Sequence, residues 1–185
     1  MKNLLIIITV VFSETLFSQV IIGDNIGTAS NKTSVLLEFA NTNNKGLILP
    51  YVRTLASSPT QGAIVLDASN SSDSRVKYYN GGWVDLSGQG ANITTVLSSQ
   101  PTTAQVSEAL TAKTIIGATS SAVNDGVLVL ESNTKAMVLP QVSDVNNIPS
   151  PSPGMMVYVN KAGAKRLAVY NGSKWSFWEP YNNNL

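Results

Sequence analysis

Two copies of one stretch decide the fold: GAIVLDASNSSDSRVKYYNGGWVDL at residues 62–86 and GMMVYVNKAGAKRLAVYNGSKWSFW at residues 154–178. Each copy contains an apolar run, a polar loop, a second run rich in branched and aromatic residues, an Asn-Gly dipeptide and a tryptophan. Asn and Gly tolerate the positive φ of a tight hairpin turn, and branched and aromatic residues suit a half-buried sheet surface. Each copy therefore predicts a three-stranded antiparallel meander.

The duplication extends towards the N-terminus of both copies. Three segments of the first copy return in the same order about 90 residues later: residues 21–23 (IIG) at 115–117, 34–39 (SVLLEF) at 127–131, and 45–50 (KGLILP) at 135–140. The apolar runs at residues 34–39 and 47–50 predict strands, whereas residues 51–61 predict a loop. Several matches in one order indicate an internal duplication, and two copies are too few for a solenoid.

A linker separates the two copies at residues 87–113. It starts with a flexible Ser-Gly-Gln-Gly segment, and a helix is predicted between Pro101 and Lys113 because Thr102 and Gln105 fit a capping box. The sequence thus predicts an all-β protein, with two related small antiparallel β-modules joined by a linker with one short helix. The predicted boundaries are 1–18 for a signal peptide, 19–86 for module 1, 87–113 for the linker and 114–185 for module 2.

The N-terminus has the pattern of a secretory signal peptide. A short basic start precedes the apolar residues 4–12, and a small residue, Ser18, precedes Gln19. The apolar run is too short to span a bilayer as a helix. We therefore expect cleavage after Ser18, secretion or display at the outer cell surface, and no membrane span after cleavage; the alternative is a buried N-terminal strand.

The composition excludes several classes of protein. The chain has no Cys and no His, a formal net charge of +1 and only 12% charged residues. Without Cys or His there is no disulfide framework, no thiolate chemistry, no Ser-His-Asp triad and no imidazole metal ligand. The charge balance gives no reason to expect a nucleic acid partner.

The aromatic residues of the hairpins are the candidate ligand-binding residues: Tyr79, Trp83, Tyr170, Trp175 and Trp178. Aromatic rings on a sheet surface can stack on sugar rings. The alternative is that they form cross-strand core pairs, each contributing about 0.2–1 kcal/mol. Side chains alternate between the two faces of a strand, so we expect some of these rings in the core and some at the surface.

The acidic residues give no catalytic or metal site. The loop DASNSSD at residues 67–73 resembles a calcium loop, but Ser72 and Tyr78 stand where an EF-hand needs Gly and Glu, so we expect a solvated hairpin loop. Glu38 and Glu131 occupy comparable strand positions, but nothing in the sequence brings their carboxylates together as a glycosidase requires. We expect no enzyme activity, no catalytic residues, no metal and no cofactor.

The motifs along the chain resemble a group of secreted surface proteins of Bacteroidetes with tail-fibre-like and adhesin-like β repeats. The resemblance is carried by the signal peptide, Asn44-Lys45-Gly46 before Leu49-Pro50, the Gly-Met-Met-Val-Tyr strand at 154–158 and the Tyr-Asn-Gly hairpins with their tryptophans. It departs from the group at Asp24-Asn25 and at Glu38.

This resemblance implies a secreted, non-enzymatic structural or adhesive protein, such as a fibre component. It also implies a homo-oligomer, a trimer by analogy, with surface glycans or other surface proteins as partners. One alternative is a carbohydrate-binding module that uses the exposed aromatic residues of the hairpins. Another is a hydrolase built on Asp and Glu alone.

Overall fold

The computed structural model describes residues 19–40, 44–101, 105–107, 109 and 111–178, so the predicted signal peptide lies outside the described residues. The first copy supplies seven strands: β1 Val20–Ile22, β2 Val35–Phe39, β3 Leu47–Ile48, β4 Tyr51–Val52, β5 Ile64–Asp67, β6 Arg75–Tyr79 and β7 Trp83–Asp85. The second copy supplies β8 Thr114–Ile116, β9 Leu128–Leu130, β10 Ala136–Val138, β11 Gln141–Val142, β12 Met155–Val159, β13 Arg166–Tyr170 and β14 Trp175–Trp178. A 3-10 turn at Val145–Asn147 and one helix, α1 Thr94–Leu97, complete the described elements, and the predicted all-β fold is confirmed.

Both predicted meanders are present. Strands β5, β6 and β7 are antiparallel neighbours, as are β12, β13 and β14. The Asn-Gly turn of the first copy has the positive φ that the dipeptide predicts, with Gly81 at +73°. The turn sets the strand register, so Tyr79 lies opposite Trp83 and Tyr170 lies opposite Trp175.

The prediction of a loop at residues 51–61 is wrong at its start, because Tyr51–Val52 form β4, parallel to β5. Pro50 cannot donate to a sheet, but its carbonyl accepts a hydrogen bond of 2.9 Å from the N–H of Leu66. The chain therefore continues along β5 after the proline. Strand β11 runs parallel to β12 in the same way after Pro140.

Two strands pair outside their own repeat. Strand β10 of the second repeat runs parallel to β2 of the first, in a three-stranded sheet ordered β1-β2-β10. Strand β3 of the first repeat runs antiparallel to β12 of the second. Neither pairing was predicted, because the periodicity of a strand does not specify its partner.

The two repeats share one hydrophobic core. One cluster of buried residues draws on both repeats and on the linker: Leu49, Leu66, Ala68, Val76, Ala91, Ile93, Leu97, Met156 and Val169. A second cluster lies within the second repeat: Val142, Ile148, Met155, Val157, Val159 and Ala168. The linker is thus part of the packed structure.

The linker helix lies earlier in the chain than predicted. Thr102 lies outside the described residues, and the described residues among 105–113 contain no helix, whereas α1 spans Thr94–Leu97. The side chain of Asn92 accepts a hydrogen bond of 3.0 Å from the N–H of Thr94 at the start of this turn. Ile93 and Leu97, four residues apart on one helix face, are both buried in the shared core. Burial of this pair places the helix here.

Candidate functional site

The candidate site is the contact between the two repeats, where exchanged strands, buried polar groups and hairpin aromatic residues come together. Hydrogen bonds cross this contact at several points. The Tyr51 hydroxyl donates to the Pro153 carbonyl at 2.8 Å, and burial raises the pKa of Tyr51. The side-chain amide of Asn171 donates to the carbonyl of Gln89 in the linker, also at 2.8 Å. These bonds hold the second repeat against the first repeat and the linker.

Glu38, in the middle of β2, organises the loop between the first two strands. Its carboxylate is fully buried and accepts hydrogen bonds from the N–H groups of Thr28 at 2.8 Å and Ala29 at 2.9 Å. The Lys32 ammonium lies 2.5 Å from it, and the Gln19 amide also donates to it. Burial raises the pKa of Glu38, but the Lys32 and backbone hydrogen bonds outweigh this effect and hold the pKa below its usual 4.5.

A glycine in this loop permits the close approach to the buried carboxylate. Gly27 has φ +71°, and a Cβ atom added there would lie 2.3 Å from the Glu38 carboxyl carbon. Both the backbone conformation and the close contact therefore require glycine. The second repeat has a related but smaller arrangement, in which Ser121 donates its hydroxyl to Glu131. Both glutamates hydrogen-bond to the loops of their own repeats.

Four of the five predicted aromatic residues form two cross-strand pairs. The rings of Tyr79 and Trp83 meet edge to face with centroids 5.4 Å apart, and those of Tyr170 and Trp175 lie 5.1 Å apart at a tilt. All four residues are half-buried. Such pairs contribute about 0.5–1.5 kcal/mol beyond the burial of their area. The structure brings each pair together as the hairpin register requires.

The fifth residue, Trp178, lies at the end of the edge strand β14. Its indole N–H donates to the carbonyl of Leu86 at 2.9 Å, yet 47% of the residue is exposed. Phe177 is 40% exposed, and the guanidinium carbon of Arg166 lies 4.2 Å from its ring centroid. Trp175 and Phe177 also border an open depression of about 390 Å³. The exposed aromatic surface therefore lies on the second repeat.

The acidic loop at residues 67–73 is held by contacts within its own hairpin and by hydrogen bonds from Ile93 and Thr94 of the linker to Ser71. The Asp67 carboxylate is buried, and it accepts from the Lys77 ammonium at 2.7 Å and from the hydroxyl of Ser69 at 2.6 Å. Asp73 pairs with Arg75 at 3.0 Å. Within the described part of the chain, no group of three potential metal ligands lies close enough to hold an ion.

Sequence reasoning missed the residues that connect the two repeats. Leu86 contributes its backbone carbonyl to Trp178, so its side chain carries no signal of this role. Gln89 contributes its carbonyl to Asn171 and its side-chain amide to the Ser176 hydroxyl, which is an ordinary contact for a polar linker residue. Thr60 and Asp125 form a bridge whose N–H and hydroxyl hydrogen bonds measure 2.6 and 2.7 Å, although Asp125 is exposed and lies in an ordinary polar loop. The sequence did carry a signal for Glu38, since a carboxylate inside an apolar strand needs several partners, but these partners lie in its own repeat.

In the described ranges, no helix has the length and apolar character needed to cross a membrane. The comparison with family models gives one match, to the phage tail like trimerisation region, over residues 25–104 and again over residues 115–184. These two segments cover well over half of the chain; the first contains most of the first repeat and extends into the linker, and the second coincides with the second repeat. No curated protein and no solved structure matches the chain.

Proposed function

The chain belongs to the phage tail like trimerisation region family. On that premise we propose that it is a non-enzymatic structural protein. We propose that it assembles into homotrimers as part of a fibre-like or adhesive surface structure. The observation that carries this proposal is the exchange of strands between the repeats. Strand β10 completes the sheet of the first repeat, and β3 extends the sheet of the second. A fold whose repeats complete one another through short strands is suited to assembly by strand exchange between copies.

We propose secretion to the outer cell surface as the setting of this assembly. The proposal is supported by the basic start, the apolar run at residues 4–12 and the small Ser18 that precedes Gln19. Mass spectrometry of secreted material tests it, with Gln19 expected as the first residue. Secreted protein that retains residues 1–17 would contradict the cleavage.

A structural role fits the use that the protein makes of its acidic groups. Glu38 hydrogen-bonds to its own loop, and Asp67 is paired with Lys77. A catalytic carboxylate must instead face a substrate and exchange a proton with it. An activity screen on glycans and peptides, with Glu38→Gln and Glu131→Gln variants as controls, tests this proposal, and turnover lost in either variant would contradict it.

The solution mass tests the assembly directly. Light scattering coupled to size exclusion, on the chain from Gln19 to Leu185, is expected to give about three times the mass of one chain. The measurement is repeated over a hundred-fold range of concentration, because strand exchange between copies depends on concentration. A single-chain mass at every concentration would overturn the proposal.

A second candidate function is glycan binding, and the exposed Phe177 and Trp178 favour it. Apolar rings at the edge of a sheet, beside an open depression, could stack on a sugar face. A glycan array with Trp178→Ala tests it, and Trp83→Phe on the first repeat is the matched control. Binding that is lost only in Trp178→Ala, with an unchanged far-UV spectrum, would support this function, and an array without hits would exclude it.

A further inference from the structure

Each repeat contains one short strand that leaves its own repeat, and we call β3 and β10 the exchange strands. They are equivalent in the duplication, since Leu47 corresponds to Met137 and Pro50 to Pro140. Their partners differ, however. Strand β10 pairs with the second strand of the first repeat, β2, whereas β3 pairs with the first meander strand of the second repeat, β12. Because a strand has two edges, one exchange strand can pair with a β2 equivalent on one edge and with a β5 equivalent on the other. The two observed pairings are therefore the two halves of one arrangement.

In this arrangement the exchange strand lies between two partner strands from other repeats. One partner is β2-like, which means β2 or its equivalent β9, and the other is β5-like, which means β5 or its equivalent β12. Among the described residues, only one flank of each exchange strand is filled. There, β10 has its β2-like partner and no β5-like one, and β3 has its β5-like partner, β12, and no β2-like one. Ile48 in β3 is 50% exposed, which agrees with an open flank.

The strands that can pair with an exchange strand, namely β2, β9, β5 and β12, differ in whether that edge is occupied. Strand β2 is flanked on both edges, and Leu36 and Leu37 are 2% and 0% exposed. Within the ranges that the structure describes, its equivalent in the second repeat, β9, pairs only with β8, and Leu128 is 40% exposed. In the same way Met156 pairs with Leu47 of β3 and is buried, whereas its equivalent in β5, Ile64, is half-buried and precedes the residues at which β4 pairs with β5, Leu66 and Asp67. Leu128 and Ile64, which have no exchange strand beside them in the described structure, are therefore more exposed than Leu37 and Met156.

The two vacant acceptor edges start next to each other. Thr60 precedes β5 and Asp125 precedes β9, and the Asp125 carboxylate accepts both the N–H and the hydroxyl of Thr60. These hydrogen bonds bring the starts of β5 and β9 together, so a slot between their free edges would accept one more exchange strand. An unpaired apolar strand edge is a template for pairing with another chain.

These relations describe a ring of three repeats with one place empty. The exchange strand of each repeat lies between the β5-like strand of the following repeat and the β2-like strand of the preceding one. The two repeats of one chain occupy two of the three places in the ring. A third repeat would place its exchange strand in the slot between β5 and β9, and it would pair with the free edges of β3 and β10. Identical copies prefer closed rotational symmetry, and a three-place ring closes with three-fold symmetry.

We propose that three copies of this chain complete such rings by exchange, with the three first repeats in one ring and the three second repeats in another. The strand pairings between the repeats of one chain, β2 with β10 and β3 with β12, are then replaced by equivalent pairings between copies. This inference rests on the proposed homotrimer and adds to it the strand and the register that join the copies.

The duplication predicts the register between copies. Within one chain Leu47 lies opposite Met156 in the antiparallel pair of β3 and β12. The equivalent of Met156 in the first repeat is Ile64, because Met156 lies opposite Val169 as Ile64 lies opposite Tyr78. Leu47 of one copy is therefore expected to lie opposite Ile64 of its neighbour. Residues opposite each other in antiparallel strands have Cα atoms about 4.5–5.5 Å apart, which is within reach of a disulfide.

Cysteine pairs test this register without background, because the chain has no cysteine of its own. The double variant Leu47→Cys/Ile64→Cys is oxidised and run on a non-reducing denaturing gel. We expect covalent species that end at three chains, since a ring of three closes on itself. The matched variant Leu47→Cys/Met156→Cys, opposite within one chain, is expected to form no disulfide in the trimer. Leu47→Cys/Gly163→Cys, with Gly163 in an open turn, gives the level of random crosslinking.

The outcomes separate this inference from the proposed function. One outcome contradicts the ring but not the trimer. In it, light scattering gives a trimer, Leu47→Cys/Ile64→Cys stays uncrosslinked, and Leu47→Cys/Met156→Cys forms a disulfide within one chain. A crosslinked series that extends past three chains overturns ring closure. A single-chain mass at every concentration overturns the proposed function and the ring with it.

Discussion

The side-chain amide of Asn171 donates a hydrogen bond of 2.8 Å to the carbonyl of Gln89 and thereby ties the turn of the second hairpin to the linker. The side-chain oxygen of the same residue accepts from the N–H groups of Ser173 and Lys174 at 2.9 and 2.8 Å. Asn171 is fully buried, whereas Asn80, its equivalent in the first hairpin, is exposed. The Asn-Gly dipeptide therefore forms an exposed turn in the first repeat and a buried contact with the linker in the second.

We predict that Asn171→Ala lowers the free energy of unfolding by about 2–3 kcal/mol, because it removes a fully buried side chain and leaves two backbone N–H groups and the Gln89 carbonyl without their partner. Asn80→Ala is the matched control and is expected to cost about 0.5 kcal/mol or less, as exposed substitutions do. Urea unfolding followed by tryptophan fluorescence measures both variants. Equal losses would contradict the different roles of the two turns.

The comparison of these two turns shows what the sequence could predict. The strands of both meanders and the Tyr79–Trp83 contact follow from local pattern and turn chemistry, which need only a short segment of chain. The burial of Asn171 depends on where the linker passes, 82 residues away in sequence. Local pattern carries no information about such a contact.

The same reason accounts for the errors in strand pairing and in the helix. The repeats are so alike that β10 could complete either sheet, and only three-dimensional packing decides that it lies on β2. The described helix follows Ile93 and Leu97, which are buried in the shared core, and a helix this short depends on such packing. Thr102 of the predicted capping box lies outside the described residues. Of the candidate site, the cross-strand aromatic pairs were predictable, and the contacts that join the repeats were not.

The buried carboxylate of Glu38 gives a second prediction. Glu38→Ala removes the acceptor of two loop N–H groups and the partner of the Lys32 ammonium. We expect a loss of about 2–4 kcal/mol in the free energy of unfolding, because breaking a buried ion pair leaves uncompensated polar groups. Glu131→Ala, which removes the partner of the Ser121 hydroxyl, is the control and is expected to cost less than half as much. Chemical denaturation of both variants decides between them, and an equal cost would contradict the organising role of Glu38.

Asp67 gives a prediction on pH dependence. Burial raises the pKa of this carboxyl, but the hydrogen bonds from Lys77 and Ser69 outweigh it, and the pKa lies below its usual 3.8. Because the pKa is lower in the folded than in the unfolded state, this group stabilises the fold above about pH 3.8, and the contribution disappears as the pH falls further through the folded pKa. We expect Asp67→Asn to be less stable than the wild type at pH 7 and to lose less stability between pH 5 and about pH 2.5. Urea midpoints at a series of pH values measure this, and parallel curves for the two proteins would contradict it.

The position of the helix gives the last prediction. Leu97 is 4% exposed in the shared core, and its neighbour Val96 is 42% exposed. Leu97→Ala is expected to lower the free energy of unfolding by about 2–4 kcal/mol, since it removes buried methyl groups and leaves a cavity. Val96→Ala is expected to change it by about 0.5 kcal/mol or less. The two substituted residues are neighbours in one helical turn. The difference between the urea midpoints of the two variants therefore measures how much the burial of Leu97 contributes to stability. If both variants behave like the wild type, the linker does not pack into the core, and the repeats are joined without it.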